Sequence, residues 1–349
     1  MHQVDTIIVG MGLAGCSMYW SLKQAGFKCL CIDPNIKTTS SRVAAGMFNP
    51  IVGKRFTTAP NATALFDSAK KYYNTIEERI QQKIYFEMLL FMPFQNIAHQ
   101  NDWSLKMPQL KEWIHDSPEL EQILKGNYQS EFGGFFVNKT GYADSNLYVN
   151  TTLDYCKKNN ELLVESIDYS QLNIEAKTYH HYQAKHIIFC EGTAVVNNPF
   201  VKQKFLNLAK GQLLFGHSSS ALPQIIYNGK IYIIPTSKNE FICGATYEWD
   251  YINNEPDEFG KNYLIQELDK VAKFDYTIID HKAAVRPTVI DRKPVVGNIN
   301  SENKHIYILN GLGTKGVIWA PYLANLITEN ITNNIEIPKE FSIDRFKKL

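Results

Sequence analysis

Near the start of the chain, Val4-Asp5-Thr6-Ile7-Ile8-Val9 is a β-branched run that breaks into Gly10-Met11-Gly12-Leu13-Ala14-Gly15 and then into a helix-like stretch over residues 16–25. Strand, glycine turn and helix in that order make the opening unit of a parallel sheet that holds a dinucleotide. Gly10 permits the tight turn, Gly12 lets backbone approach a pyrophosphate, and Gly15 lets helix and strand pack closely. The free N–H groups at the helix start, those of Leu13 and Ala14 included, face phosphates. Gly26 ends the helix, and a second apolar run over residues 28–32 leads to Asp33-Pro34. Asp33 stands about 20 residues after the glycines, where an acid meets ribose hydroxyls and a 2′-phosphate is disfavoured. A glycine-rich turn with no ligand leaves Asp33 without a task.

The fingerprint does not separate a nicotinamide from a flavin dinucleotide. Residues 40–50 are small and hydroxyl-rich, and Ser41, Arg42, Ala45, Gly46 and Met47 suit the approach of backbone and one guanidinium to phosphates and a flat ring. Joined to the first motif, this segment resembles the second flavin-binding segment of the D-amino-acid-oxidase-like family of FAD oxidoreductases, which includes glycine oxidase and sarcosine oxidase. Further segments follow in that family's order. Residues 184–192 resemble its late strand ending at a glycine, Gly192, and Lys210-Gly211-Gln212 resembles its Arg-Gly-Gln turn with Lys in place of Arg. Residues 231–235 and 243–248 resemble two strands roofing the substrate pocket, and their alternation fits antiparallel pairing. Residues 284–297 are similar to its Arg-Pro motif, and residues 306–331 to its last strand, flavin-capping loop and helix.

The resemblance implies an α/β chain with a Rossmann-like FAD-binding domain (1–84, 141–209 and 281–349) interleaved with an α+β substrate domain (85–140 and 210–280) whose sheet is mostly antiparallel. It places Val164, Gly192, Arg286 and the loop Gly311-Leu312-Gly313-Thr314-Lys315-Gly316 at the flavin, beside the residues of the first two segments. It also makes Arg286 the group that holds a substrate carboxylate, a task suited to a planar fork of donors. The alternative for Arg286 is a structural ion pair with Asp291. Tyr232 matches a family Tyr whose hydroxyl touches the same carboxylate, and Tyr247 is a weaker match on the neighbouring strand; the alternative for both is packing. Lys315, with the helix start behind it, places positive charge at the flavin N1–C2=O edge, or is a solvated loop lysine.

Three departures from the family pattern matter. Leu312 stands where many members carry His, Pro321 removes a hydrogen bond from the last helix so that it kinks or starts late, and residues 288–297 hold no Cys, so the FAD is expected to be non-covalent. The implied reaction is oxidation of the C–N bond of a small carboxylate-bearing amine to an imine, by hydride transfer to flavin N5. Oxygen or an electron carrier then takes the electrons. A rival within the family is oxidation of a carboxymethylaminomethyl-type modified base on tRNA. Rivals outside that chemistry are a non-catalytic FAD-binding module and an NAD dehydrogenase, the latter having no use for the late glycine loop.

Composition bounds these readings. The 349 residues are enough for about two domains. The balance of 36 Lys and Arg against 35 Asp and Glu leaves +1, so no overall field recruits nucleic acid or membrane, and isolated pairs such as Lys70-Lys71, Lys157-Lys158 and Lys347-Lys348 make no patch. The longest apolar run, residues 84–94, is interrupted by Glu87 and is far short of the ~20 residues that span a bilayer. No leader precedes the first strand and the six cysteines lack metal or CxxC spacing, so a cytoplasmic protein with reduced thiols and no metal is expected. Locally, residues 67–83 read as an amphipathic helix, 84–92 as a buried strand stopped by Pro93, and 103–126 as short helices and loop.

Overall fold

The computed structural model describes residues 1–53, 56–58, 62–115, 117–202, 205–250, 252–299 and 304–346; Lys347 and Lys348 lie outside them. Its helices are α1 (Leu13–Gln24), α2 (Ser40–Val43), α3 (Ala62–Ile80), α4 (Ile97–Lys106), α5 (Pro118–Asn127), α6 (Ser145–Lys158), α7 (Glu258–Val271) and α8 (Gly316–Asn333). The short β-branched runs become a six-stranded sheet in the order Leu162–Leu163, Cys29–Ile32, Thr6–Val9, His186–Phe189, Ile306–Asn310, Val295–Asn298. All neighbours are parallel except the last pair. Helices α1 and α8 pack together over one face, burying Trp20, Leu22, Ile318, Leu323 and Ile327 with the sheet residues Ile8 and Ile188. Both faces of this sheet are covered, which is why its strands carry unbroken apolar runs.

A second sheet of eight strands runs Tyr276–Arg286, Ala209–Ser218, Glu240–Gly244, Tyr232–Pro235, Ile226–Asn228, Leu90–Pro93, Gly134–Val137, Ile114–His115. Every neighbouring pair is antiparallel except Ile226–Asn228 beside Leu90–Pro93. Its register brings Ala209 opposite Arg286, and Gly244 opposite both Leu213 and Tyr232. We propose that the two large sheets are the cores of two interleaved domains. The strand Tyr276–Arg286 crosses the boundary expected at residue 281, because Arg286 pairs within the eight-stranded sheet up to its last residue.

Three local expectations are adjusted. Helix α3 begins and ends earlier than the apolar spacing predicted, since Gln81, at φ +56°, turns the chain out of the helix. The strand expected over 84–92 is two strands in two sheets. Tyr85–Glu87 pairs with Gly141–Ala143, and Leu90–Pro93 pairs with Gly134–Val137, so the chain crosses from one sheet to the other at residues 88–89. Pro321 sits inside α8, which starts at Gly316 as one helix. A proline at 321 leaves the carbonyl of Val317 without its helical donor. The Tyr73 hydroxyl on α3 supplies one at 2.9 Å. Tyr73→Phe strands that carbonyl in a fully buried position and is expected to cost about 1–3 kcal/mol, read as a lower denaturant midpoint with unchanged m-value.

Candidate active site

The glycine turn lies where the parallel strands end, the ligand edge of an open α/β sheet. Gly10 has φ +88°, and a Cβ there would lie 2.7 Å from the Cys190 oxygen. A Cβ on Gly15 would fall 1.8 Å from the Gly10 oxygen, so only glycine lets α1 begin this close to the strand. The turn is pinned from two sides. The Asp33 carboxylate accepts from the Met11 N–H at 2.6 Å and from the Asn35 N–H at 2.7 Å, and the Ser41 Oγ accepts from the Leu13 N–H at 2.9 Å. The Ala14 N–H, in the first turn of α1, has no intrahelical acceptor, and Gly12, Leu13 and Ala14 line the cavity.

Opposite this turn stands the loop after Ile306–Asn310. The Asn310 amide donates to the Gly192 carbonyl at 2.9 Å and accepts from the Gly311 N–H at 2.7 Å, tying the two glycine segments together. Gly313 N–H donates to the Pro287 carbonyl at 3.3 Å, which fixes the loop to the Arg-Pro motif. Lys315 caps the start of α8 and has no acidic partner among the described residues; burial lowers its pKa below the ordinary lysine value. Glu191, beside Gly192, takes hydrogen bonds from the Tyr169 hydroxyl and from the Asn198 amide at 2.7 Å, and burial raises its pKa against their effect.

These walls enclose one cavity of about 640 Å³ that runs from Asp33, Ser166 and Ile167 past Gly12 and Gly192 to Tyr232, Tyr247 and Arg286. At its far end the Arg286 guanidinium donates through Nη1 to the carbonyls of Lys210 at 3.2 Å and Thr246 at 3.3 Å. No carboxylate pairs with it among the described residues. The ion pair with Asp291 is not formed, because Asp291 is bonded to Arg345 at 2.7 Å. Burial lowers the Arg286 pKa, while Tyr232, Tyr247 and Glu248 pull it back up. Gly211 makes the room: a Cβ there would lie 2.0 Å from Arg286 Nη2. The same burial raises the Tyr232 phenol, opposed by Arg286, so this hydroxyl is a neutral donor. Behind them, Lys210, 2% exposed, donates to Asp257 at 2.6 Å, and Gln212 donates to Glu248 at 2.9 Å.

The structure brings Gly10, Gly12, Leu13, Ala14, Asp33, Pro34, Ser41, Ala45, Gly46, Met47, Gly192, Leu312, Gly313, Thr314, Lys315 and Gly316 to the cavity wall together with Tyr232, Tyr247 and Arg286. Four expected cofactor residues are not on it. Gly15 and Gly311 act one layer behind, as close-packing positions. Arg42 is buried with its Nη2 on the Asn35 side chain at 2.6 Å, so it braces the turn after Asp33 rather than facing the cavity. Val164 is 54% exposed just past the strand Leu162–Leu163, and Ser166 and Ile167 line the wall in its place. Sequence reasoning assigned no individual task to Gly211, Asn310 or Glu191, whose partners Arg286, Gly192 and Tyr169 lie elsewhere in the chain.

The profile of the DAO family of FAD-dependent oxidoreductases matches residues 5–330, and the chain belongs to that family. It is therefore an FAD-dependent enzyme. The free N–H groups at α1, the Asp33 carboxylate and the uncompensated Lys315 fit the pyrophosphate, ribose and ring edge of FAD. The chain is similar to the tRNA 5-methylaminomethyl-2-thiouridine biosynthesis bifunctional protein of Legionella pneumophila (strain Philadelphia 1), 23% identical over 93% of this chain and 54% of that protein. The Leptospira interrogans protein of the same name is 22% identical over 98% of this chain and 59% of its own length. The chain thus spans about half the length of the curated relatives it matches end to end. Among solved structures, glycine oxidase from Geobacillus kaustophilus superposes with a TM-score of 0.79 at 17% identity, covering 98% of this chain and 99% of that one. Iminodiacetate oxidase from Chelativorans sp. gives 0.75 at 18% identity, covering 97% and 98%. At these identities the likeness shows the fold. Among the described residues no helix is long and apolar enough to cross a membrane.

Proposed function

We propose that this enzyme oxidises the C–N bond of an amine that carries a carboxylate, an amino acid or an N-substituted glycine, to an imine. One observation carries the reading: Arg286 is largely desolvated at the end of the cavity, is held from behind by two carbonyls, and has no carboxylate of its own among the described residues. A guanidinium in that setting calls for an anion, and a substrate carboxylate meets it with two parallel hydrogen bonds. Tyr232 adds a neutral donor to the same group. With the carboxylate fixed, the substrate Cα is oriented toward the cofactor end of the cavity rather than free to tumble. When bound, FAD supplies the two-electron oxidant, accepting a hydride at N5. Lys315 and the α8 N-terminus line the cavity and would supply positive charge beside the bound ring. The substrate loses a hydride from carbon and a proton from nitrogen, and water hydrolyses the imine.

The relatives are named for 5-methylaminomethyl-2-thiouridine biosynthesis in tRNA, which supports a second reading of the same chemistry, in which the N-substituted glycine is a carboxymethylaminomethyl arm on a tRNA base. Oxygen or an electron carrier regenerates the oxidised cofactor in either case. Anaerobic titration of the holoenzyme with glycine, N-methylglycine and the modified nucleoside separates the readings. Bleaching of the flavin by the small acids, with glyoxylate formed mole for mole, supports the first; bleaching by the nucleoside alone supports the second. A flavin that none of them reduces contradicts both.

A further inference from the structure

Two large aromatic side chains are exposed at the cavity wall and next to it. Tyr247 and Trp249 are each 47% exposed, whereas Trp20, Trp103 and Trp113 are buried and Trp319 is half-buried. Their rings meet edge to face at 4.9 Å with an interplanar angle of 64°. Tyr247 is part of the cavity wall, and the Arg286 guanidinium lies 5.2 Å from its ring centre. The pair therefore forms an exposed aromatic corner that begins at the cavity wall beside Arg286 and continues to Trp249, which is not part of that wall. An isolated amino acid held at Arg286 is too short to use Trp249. A substrate with a second substituent on nitrogen reaches further, and a flat, polar ring suits a half-wet aromatic corner better than an alkyl chain does.

We propose that Tyr247 and Trp249 form a stacking subsite for a planar heteroaromatic ring of the pyrimidine type, carried on the nitrogen of an N-substituted glycine. The subsite rests on the reading of Arg286 as the carboxylate anchor and extends it, with Trp249 setting preference between ring-bearing and small substrates. Base stacking on an exposed aromatic is worth about tenfold or more in affinity.

The test uses the FAD-loaded wild type, Trp249→Ala and Trp249→Phe, with two probes: N-methylglycine and N-(uracil-5-ylmethyl)glycine. The wild type is expected to show a KM about tenfold or more lower for the uracil probe than for N-methylglycine. Trp249→Ala is expected to lose that advantage while its KM for N-methylglycine stays within about twofold, and Trp249→Phe is expected to keep most of it. Binding of the uracil probe also quenches the emission of the one exposed tryptophan among the described residues, a signal that Trp249→Phe removes. Equal KM values for the two probes in the wild type, or an equal rise for both in Trp249→Ala, overturn the subsite and leave the Arg286 reading standing. Oxidation of neither probe overturns the Arg286 reading and the subsite with it.

Discussion

Arg286→Ala is expected to raise KM for an N-substituted glycine by about two to three orders of magnitude while the yellow, flavin-loaded protein is still recovered. Removing one partner of a desolvated, hydrogen-bonded ion pair costs about 3–5 kcal/mol, and each 1.4 kcal/mol is tenfold. The flavin is expected to stay because its cradle is built from other segments: the α1 turn with Asp33, the Gly192 segment, and the 312–316 loop. Arg286→Lys is expected to recover only part of the loss, since an ammonium is a point charge without the fork. Three neighbours fix its place. Arg286 donates to the Lys210 and Thr246 carbonyls, so its position is set by backbone, and Gly211 leaves the space it fills. Steady-state kinetics with a flavin absorbance check on each variant decides the matter; an unchanged KM for Arg286→Ala contradicts the anchor.

Gly15→Ala is expected to yield protein without flavin and with a markedly lower melting temperature. The new methyl would sit 1.8 Å from the Gly10 oxygen, which is backbone and cannot swing aside, so either the strand or α1 must shift. Overpacking of this kind costs about 1–3 kcal/mol or more, and here the shift also displaces the N–H groups that face the pyrophosphate. Gly126→Ala is the matched control. Nothing lies within 4 Å of a Cβ there, the residue is inside α5, and alanine is expected to be neutral or stabilising by up to about 1 kcal/mol. Thermal unfolding and the flavin-to-protein absorbance ratio distinguish the two. Full flavin loading in Gly15→Ala contradicts the close-packing role.

What the sequence makes legible here is local. Residues 6–33 carry strand, turn, helix, strand and acid within one βαβ opening, and each piece forms where its own residues dictate. The order of the later glycine segments likewise marks the cavity walls. Other facts depend on distant partners. Arg286 is left without a carboxylate because Asp291 is engaged by Arg345, 54 residues further on, and no spacing rule foretells that choice. Arg42 looks like a phosphate ligand by type, yet the fold turns it onto Asn35. Pro321 signals a kink or a late start for α8, yet the helix begins at Gly316 and the stranded Val317 carbonyl is satisfied by Tyr73, 244 residues earlier. The exposed corner of Tyr247 and Trp249 is equally invisible in one dimension, since most tyrosines and tryptophans pack inside.

The central claim is that the enzyme recognises its amine by a carboxylate. The most direct measurement is the anaerobic rate of flavin reduction in the wild-type holoenzyme by N-methylglycine and by N-methylglycinamide, which match in size and differ in charge. The acid is expected to reduce the flavin saturably and the amide about a hundredfold less efficiently, as the loss of a charge-assisted pair requires. Equal efficiency for acid and amide contradicts the claim, because Arg286 then contributes nothing to recognition.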